Sequence, residues 1–377
     1  LIANIGISDI LEIEDIENIM LQILKYLIRQ KTITEDKTKN HKTLQWIEKR
    51  LAKKFQTKFL RKQGFYSLVA TTRKTKRPKA WLAAHLDVVS GSSQVFIPKE
   101  EKGKIIGRGA FDMKFAIACY LKLTEEIKNP AEYDFGIMLT SDEEVGGQNG
   151  TKFLLQQGYG GGCAFLPDGC TGESIEREAK GVWHIEAIAL GASAHASRPW
   201  DGENAIKTLL HFLYELETHI PGKPCEDTIH HHNTLCIGKI RGGEAINKVA
   251  HKAVAELDIR HIPETPEEEI KALVRTIAKK YHTHIREIVY ASPIQTNMGD
   301  KRIKLYEKIY KEVARKHLKR TLSHGASDAH YFHEKGIPVL LAQPKGGGHH
   351  TEHEWVSIKG LQTYYNVLKI WLNEVAK

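Results

Sequence analysis

The chain has 377 residues, 41% of them hydrophobic and 27% charged, with a formal net charge of +9. This is a globular profile, long enough for two domains and a core that needs no disulfide staples. No apolar run approaches the roughly 18 residues of a membrane span, so no membrane partner is expected.

The stretch from Leu1 to Met20 carries Asp9, Glu12, Glu14, Asp15 and Glu17. A secretory leader needs a basic start and an apolar centre, and this is neither. Ile16 to Phe55 then reads as two amphipathic helices, with Thr32 to Asn40 as a polar break. Lys and Arg recur between Lys49 and Lys79 with almost no acid. Such a run can face nucleic acid, but no aromatic-rich surface accompanies it. It reads as one polar helix face followed by a hairpin loop over Thr71 to Lys79, and no nucleic-acid partner is expected.

A buried strand is predicted over Ala80 to Ala84, ending in His85-Leu86-Asp87. Lys104 to Gly107 closes a hairpin, and a helix runs from about Met113 to Glu126. Two further buried strands follow. Phe135 to Leu139 ends in Ser141-Asp142-Glu143-Glu144, and Cys163 to Leu166 ends in Pro167-Asp168-Gly169. Strands alternating with helices predict an α/β fold, a mixed, mostly parallel sheet with helices on both faces.

From Gly181 the pattern changes. Val182 to Ile188 (strand), Ala205 to Leu216 (helix), Thr234 to Ile240 and Ala253 to Arg260 (strands), Glu267 to Lys280 (helix) and His284 to Tyr290 (strand) give β-α-β-β-α-β. That is the ferredoxin-like order, and it predicts an inserted α+β domain. Lys304 to Lys316 (helix) and Pro338 to Ala342 (strand) return to the first pattern. The five cysteines, Cys119, Cys163, Cys170, Cys225 and Cys236, are odd in number and contain no CxxC pair. They predict reduced thiols, all five buried as small apolar residues, and a cytoplasmic location.

The residues with chemical potential sit just past strand ends, where open α/β sheets place their sites. His85 and Asp87 are two apart and point the same way on extended chain. One can bind a metal while the other holds the imidazole from behind. Asp112 opens a helix after a glycine-flanked loop; it reads as a ligand or as a helix cap. Glu143 and Glu144 diverge as neighbours, so one can bind a metal while the other faces water; a buried pair of this kind needs positive charge nearby. Asp168 is another carboxylate at a strand end. The segment Gly346 to Glu354 supplies His349, His350 and His353 on a flexible loop, whereas His230-His231-His232 reads as a surface cluster. Taken together, imidazole and carboxylate suit divalent zinc, with cobalt or manganese possible.

At these residues the chain resembles the zinc-dependent exopeptidase and deacylase family. That family includes succinyl-diaminopimelate desuccinylase, acetylornithine deacetylase, aminoacylase, glutamate carboxypeptidase and peptidase T. The motifs run in order: AHLDVV at 84–89, GRGAFDMK at 107–114, TSDEEVGG at 140–147, LPDG at 166–169, ASAHASRP at 192–199 and HTEHEWV at 350–356. The resemblance implies a discontinuous catalytic domain over 1–180 and 292–377 and an inserted lid or dimerisation domain over 181–291. It implies two zinc ions per subunit: His85 and Asp168 on one, Glu144 and His350 on the other, and Asp112 bridging. Asp87 stands behind His85, and Glu143 is the general base. By the same resemblance, His195 is similar to the histidine that reaches across a homodimer to the reacting carbonyl, and Asn247 and Arg260 resemble lid residues that hold substrate. His350 is preferred to His349 through the family's H-x-x-[HN]-E spacing.

Some positions depart from the family. Phe115 replaces the usual Gly, His330 the frequent Arg, and Asp168 the Glu of most deacylases. The last tilts the expected substrate towards dipeptides or short peptides over N-acyl or N-succinyl amino acids. The expected reaction is hydrolysis of an amide bond. A metal-binding member without catalysis is the rival reading, but every expected position is filled.

Overall fold

The computed structural model describes residues 19–169, 172–222 and 232–377. The acidic start before residue 19, Cys170, Cys225, His230 and His231 lie outside the described residues. The chain forms two compact units. One takes Leu1–Arg177, Thr296–Thr321 and Ser327–Lys377; the other takes Glu178–Gln295 and Leu322–Ala326.

The first unit is built on a six-stranded sheet. Its order is Gln56–Lys62, Phe65–Thr71, Phe135–Thr140, Ala80–His85, Ala164–Phe165 and Val339–Leu340. The first two pairings are antiparallel and the remaining three parallel. Ala80–His85 and Phe135–Thr140 are buried at every position, as expected of apolar inner strands covered on both faces. Their carboxyl ends deliver His85 and the Ser141–Glu144 turn side by side, since His85 pairs with Thr140.

The predicted hairpin loop over Thr71 to Lys79 is corrected. The hairpin lies earlier, between Gln56–Lys62 and Phe65–Thr71, turned by Gln63 and Gly64 at φ of 49° and 85°. Two positive φ values match the tight turns that suit strand twist. Residues 72–79 instead cross over, because Phe135–Thr140 lies between Phe65–Thr71 and Ala80–His85. The polar, half-exposed QTKFLRK pattern of the edge strand Gln56–Lys62 reads like a continuation of the polar face of the preceding helix Lys37–Leu51.

Helix Lys114–Glu126 is buried on all sides from Lys114 to Thr124, the mark of a central helix. A small four-stranded sheet orders Gly346–Gly347, Trp355–Ser357, Lys104–Ile106 and Lys99–Glu101. By pairing Trp355 with Ile106 it brings the late His-rich loop beside the Asp112 loop.

The second unit has strands Gly181–Leu190, Thr234–Gly242, Lys252–His261 and Thr283–Ala291 with helices Ala205–His219 and Glu267–Lys280. The sheet order places Thr234–Gly242 and Thr283–Ala291 at the edges and all neighbours are antiparallel. Trp183, Ile185 and Ala187 alternate with His184 and Glu186, so one face packs on helix residues Leu209, Phe212, Leu213 and Leu216. That helix spacing is one apolar stripe, and Asn204 caps its start by accepting from Ile206 and Lys207. Among the described residues no helix is long and apolar enough to cross a membrane.

Candidate metal centre

Asp112 is the hub. Its Oδ1 lies 3.0 Å from His85 Nε2 and its Oδ2 3.2 Å from His350 Nε2. His350 Nε2 is also 3.2 Å from Glu144 Oε2. The ligand atoms of His85, Asp112 and Glu144 lie within 4.8 Å of one another, and so do those of His85, Glu143 and Asp168. One carboxylate thus faces two imidazoles, with three more carboxylates around them. All of these residues belong to the first unit.

Each ligand is held from outside. His85 Nδ1 lies 3.0 Å from the backbone carbonyl of Asp87 and 3.7 Å from its carboxyl. Donation to that carbonyl leaves Nε2 free for Asp112 or a metal. The Asp87 carboxyl itself accepts the Thr34 hydroxyl at 2.9 Å and the N–H groups of Glu143 and Glu144 at 3.3 Å each. It therefore aligns the Glu143 turn as well as His85. His350 sits at φ 58°, in the left-handed region. Such backbone costs a non-glycine residue roughly 1–3 kcal/mol and clusters at functional sites. His349 turns away and packs its ring on Phe111, centroids 4.8 Å apart.

Glu354 does for the Asp112 loop what Asp87 does for the Glu143 turn. Its Oε1 accepts from the N–H groups of Phe111 and Asp112, and its Oε2 from Gly109 N and the Arg108 guanidinium, all at 2.8–3.0 Å. Gly109 must bend to φ 82°, and a Cβ there would lie 2.6 Å from the Lys114 chain. Lys114 is fully buried and donates to the carbonyl of Leu27 at 3.0 Å. Sequence reasoning placed Glu354 in a motif but assigned no role to it, to Arg108, or to Asp328 beside the Glu143 turn. Nothing in the spacing announces a carboxylate that accepts backbone N–H groups from so far along the chain.

The electrostatics ask for cations. Burial pushes the Glu143 carboxyl well above its usual range, and the Asp168 charge adds to this. Asp168 is pushed up by burial and by Asp112, against the pull of His85. Burial works against ionised Asp112 too, but hydrogen bonds from His350 and His85 hold its carboxyl well below the usual range. His85 is raised despite its burial, through Asp112 and Asp87. His350 is pushed up to about 10 by Asp112 and Glu144. The ring nitrogens of His85 and His350 that face Asp112 give it the N–H groups that answer its charge, and Asp168 Oδ2 is buried with no hydrogen-bond partner. The donor set fits divalent metal in place of those protons: imidazole nitrogens, carboxylates, and one buried oxygen left over. His85, Asp112, Glu143, Glu144, Asp168 and His350 are the residues able to hold it.

The other predicted site residues lie in the second unit. His195 Nδ1 accepts from the Ser197 N–H at 3.2 Å and lies 2.8 Å from its hydroxyl. A neutral ring there carries its proton on Nε2, ready to donate. Ala196 donates to the Asn247 carbonyl at 3.0 Å, so His195 and Asn247 share one end of the sheet. Arg260 stands at the other end. Lys252 pairs with Leu190 but Arg260 with Val182, a separation on the order of 25 Å along the strand. Its guanidinium already forms a fork on Asp258, at 2.7 and 2.9 Å. One copy of this unit does not gather the three.

The departures also have places. Phe115 is buried between the Phe111 and Tyr364 rings. His330 is buried, donates from Nδ1 to the Ser327 carbonyl at 2.8 Å, and lies on the Tyr331 ring.

Comparison with known proteins sets this geometry in a lineage. The sequence model of peptidase family M20/M25/M40 matches residues 81–374. The chain is similar to succinyl-diaminopimelate desuccinylase of a Sulfurovum species, 24% identical over 93% of this chain and 97% of the relative. Its fold is similar to a tripeptidase of Staphylococcus aureus, TM-score 0.76 and 22% identity, covering 95% of this chain and 98% of that one. It is likewise similar to an M20 family metallo-carboxypeptidase of Sulfolobus solfataricus, TM-score 0.76 and 16% identity, covering 94% and 98%.

Proposed function

The chain belongs to peptidase family M20/M25/M40 and is a hydrolase of amide bonds, and from that premise we propose that it cleaves small peptides at a centre of two zinc ions. The observation that carries this reading is Asp112, whose two oxygens face His85 and His350 separately. In the proposed assignment His85 and Asp168 would hold one ion and Glu144 and His350 the other, with Asp112 shared between them. Cobalt or manganese satisfies the same donors. Divalent cations bound there polarise a carbonyl and acidify water.

The remaining chemistry falls to the chain itself. Glu143, its carboxyl raised by burial, takes the proton of the attacking water and delivers it to the leaving amine. His195 donates from Nε2 to the developing oxyanion. Asn247 and Arg260 hold the substrate, Arg260 by exchanging Asp258 for a substrate carboxylate. The distance between Arg260 and His195 within one sheet supports a homodimer in which two copies serve each site. We place the enzyme in a reducing, cytoplasmic setting, a reading supported by the unpaired thiols of Cys119, Cys163 and Cys236, the last of them exposed where burial was expected.

A second reading, hydrolysis of an N-succinyl or N-acyl amino acid, is favoured by the desuccinylase relatives. Asp168, where most deacylases carry Glu, favours peptides. A hydrolysis screen over di- and tripeptides and N-acetyl and N-succinyl amino acids, with zinc, cobalt and manganese, decides between them. A chelator should abolish turnover. Glu143→Ala should keep its metal and lose about 10²–10⁴-fold in kcat; full activity in that variant removes Glu143 as the base. Mixing Glu143→Ala with His195→Ala chains should restore part of the activity if the histidine works across the dimer, and none if it does not.

A further inference from the structure

The turn carrying Glu143 and Glu144 lies between two elements without belonging to either. After Phe135–Thr140 ends, Glu143–Val145 makes a single 3-10 turn. Gly146 and Gly147 then follow at φ of 99° and 59°, ahead of helix Thr151–Gln156. Two consecutive glycines in this region leave the backbone many alternatives. Asp87 clamps one side through the N–H groups of Glu143 and Glu144.

The other side is clamped from helix Ala329–Glu334 and the residue before it. The Tyr331 hydroxyl donates to the Gly146 carbonyl at 2.6 Å. Gly146 N in turn donates to the Glu143 carbonyl at 2.7 Å, closing the turn. Asp328 Oδ2 accepts the Thr151 hydroxyl at 2.5 Å. A Cβ on Gly147 would lie 1.8 Å from Asp328 Oδ1, so that carboxylate occupies the space any side chain would need. Asp328 and Tyr331 are 3% and 5% exposed, so water does not compete freely for these contacts.

We propose that Asp328 and Tyr331 are positioning residues that latch this turn, fixing both the reach of the Glu143 carboxylate and the angle at which Glu144 meets a metal. The proposal rests on the metal-centre reading. Both residues direct their hydrogen bonds to Thr151 and Gly146, not to His85, Asp112, Glu144, Asp168 or His350. They act through Gly146, Gly147 and Thr151, as outer partners that set ligand direction. Removing the latch lets the glycine pair relax. Displacements near 1 Å at reacting groups cost on the order of 100-fold in rate.

Tyr331→Phe removes one hydroxyl and keeps the ring against His330. Asp328→Asn keeps the shape and alters the acceptor. Each is compared with wild type by chelator competition for bound zinc, by kcat and KM, and by thermal unfolding. Tyr310→Phe is the control; its hydroxyl bonds Glu173 at 3.1 Å, in no contact with the turn. The latch predicts that Tyr331→Phe weakens zinc binding and lowers kcat by about 10–100-fold each. KM should stay within about twofold, and the unfolding midpoint should fall by only about 4 °C or less. Should Asp328→Asn fail to fold, Tyr331→Phe decides alone. Wild-type metal affinity and kcat in Tyr331→Phe overturn the latch. So does a loss that Tyr310→Phe shares, or one that merely follows the unfolded fraction. A wild-type chain that binds no divalent metal overturns the metal-centre reading itself, and the latch with it.

Discussion

Glu354 and Asp258 are both carboxylates satisfied by neighbours, yet their surroundings give them different weight. Glu354 is buried and answers Arg108 and three backbone donors. Glu354→Ala leaves that guanidinium buried and uncompensated, so a loss of about 3–5 kcal/mol in unfolding free energy is expected. Chemical denaturation checks the value, and metal content should fall with it because the Asp112 loop loses its anchor. Asp258 is partly exposed. Burial alone would raise its carboxyl, but hydrogen bonds from His184 and Arg260 hold it well below the usual range. A depressed folded-state carboxyl contributes stability that is complete above its unfolded value, near 3.9, and lost as pH falls through the folded one. Wild type should therefore exceed Asp258→Asn in thermal midpoint at pH 6, with the gap closing as the pH drops below about 4; a gap that persists in acid contradicts this. At this scale the imidazoles and carboxylates that the fold gathers were legible in the sequence, since His and carboxylate at strand ends are a visible signal. It hid Glu354, most of whose partners are backbone N–H groups, and Asp328, whose partner is the Thr151 hydroxyl, because all of these come near only by folding.

Elements with strong periodicity were legible for the same physical reason that they are stable. The buried strands Ala80–His85 and Phe135–Thr140 and the striped helix Ala205–His219 read directly from their apolar patterns. The polar edge strand Gln56–Lys62 did not, because half-exposed strands and helix surfaces share a composition. Helix Ala205–His219 also carries a face that its own unit leaves bare. Leu210 and Tyr214, one turn apart, are 50% and 74% exposed, and the edge strand Thr234–Gly242 exposes Ile237 and Ile240. The homodimer proposed above would have this apolar surface available to cover. Leu210→Lys with Tyr214→Lys should convert the proposed homodimer to monomer in sedimentation and cut turnover, while the metal stays bound. An unchanged dimer would place the contact elsewhere.

At the scale of the whole molecule, metal and stability are one equilibrium. Zinc at 100 times its dissociation constant should stabilise the fold by about 2.7 kcal/mol, and a chelator should reverse this in a thermal scan. With His350 pushed up to about 10 and His85 raised as well, loading near neutral pH must also expel protons. About one or more per chain should appear in weakly buffered indicator solution; binding without acidification would argue that the ions sit elsewhere. Lys114 adds a practical constraint on any shortened version of the gene. Its Nζ is sealed inside and donates to the Leu27 carbonyl, at the close of the first described helix. Trimming that looks harmless on paper, a deletion up to about residue 30, would remove that carbonyl and uncover a buried side chain two positions from Asp112. Expression vectors and protease-cleaved preparations should keep that helix, or an inactive product will be mistaken for an inactive enzyme.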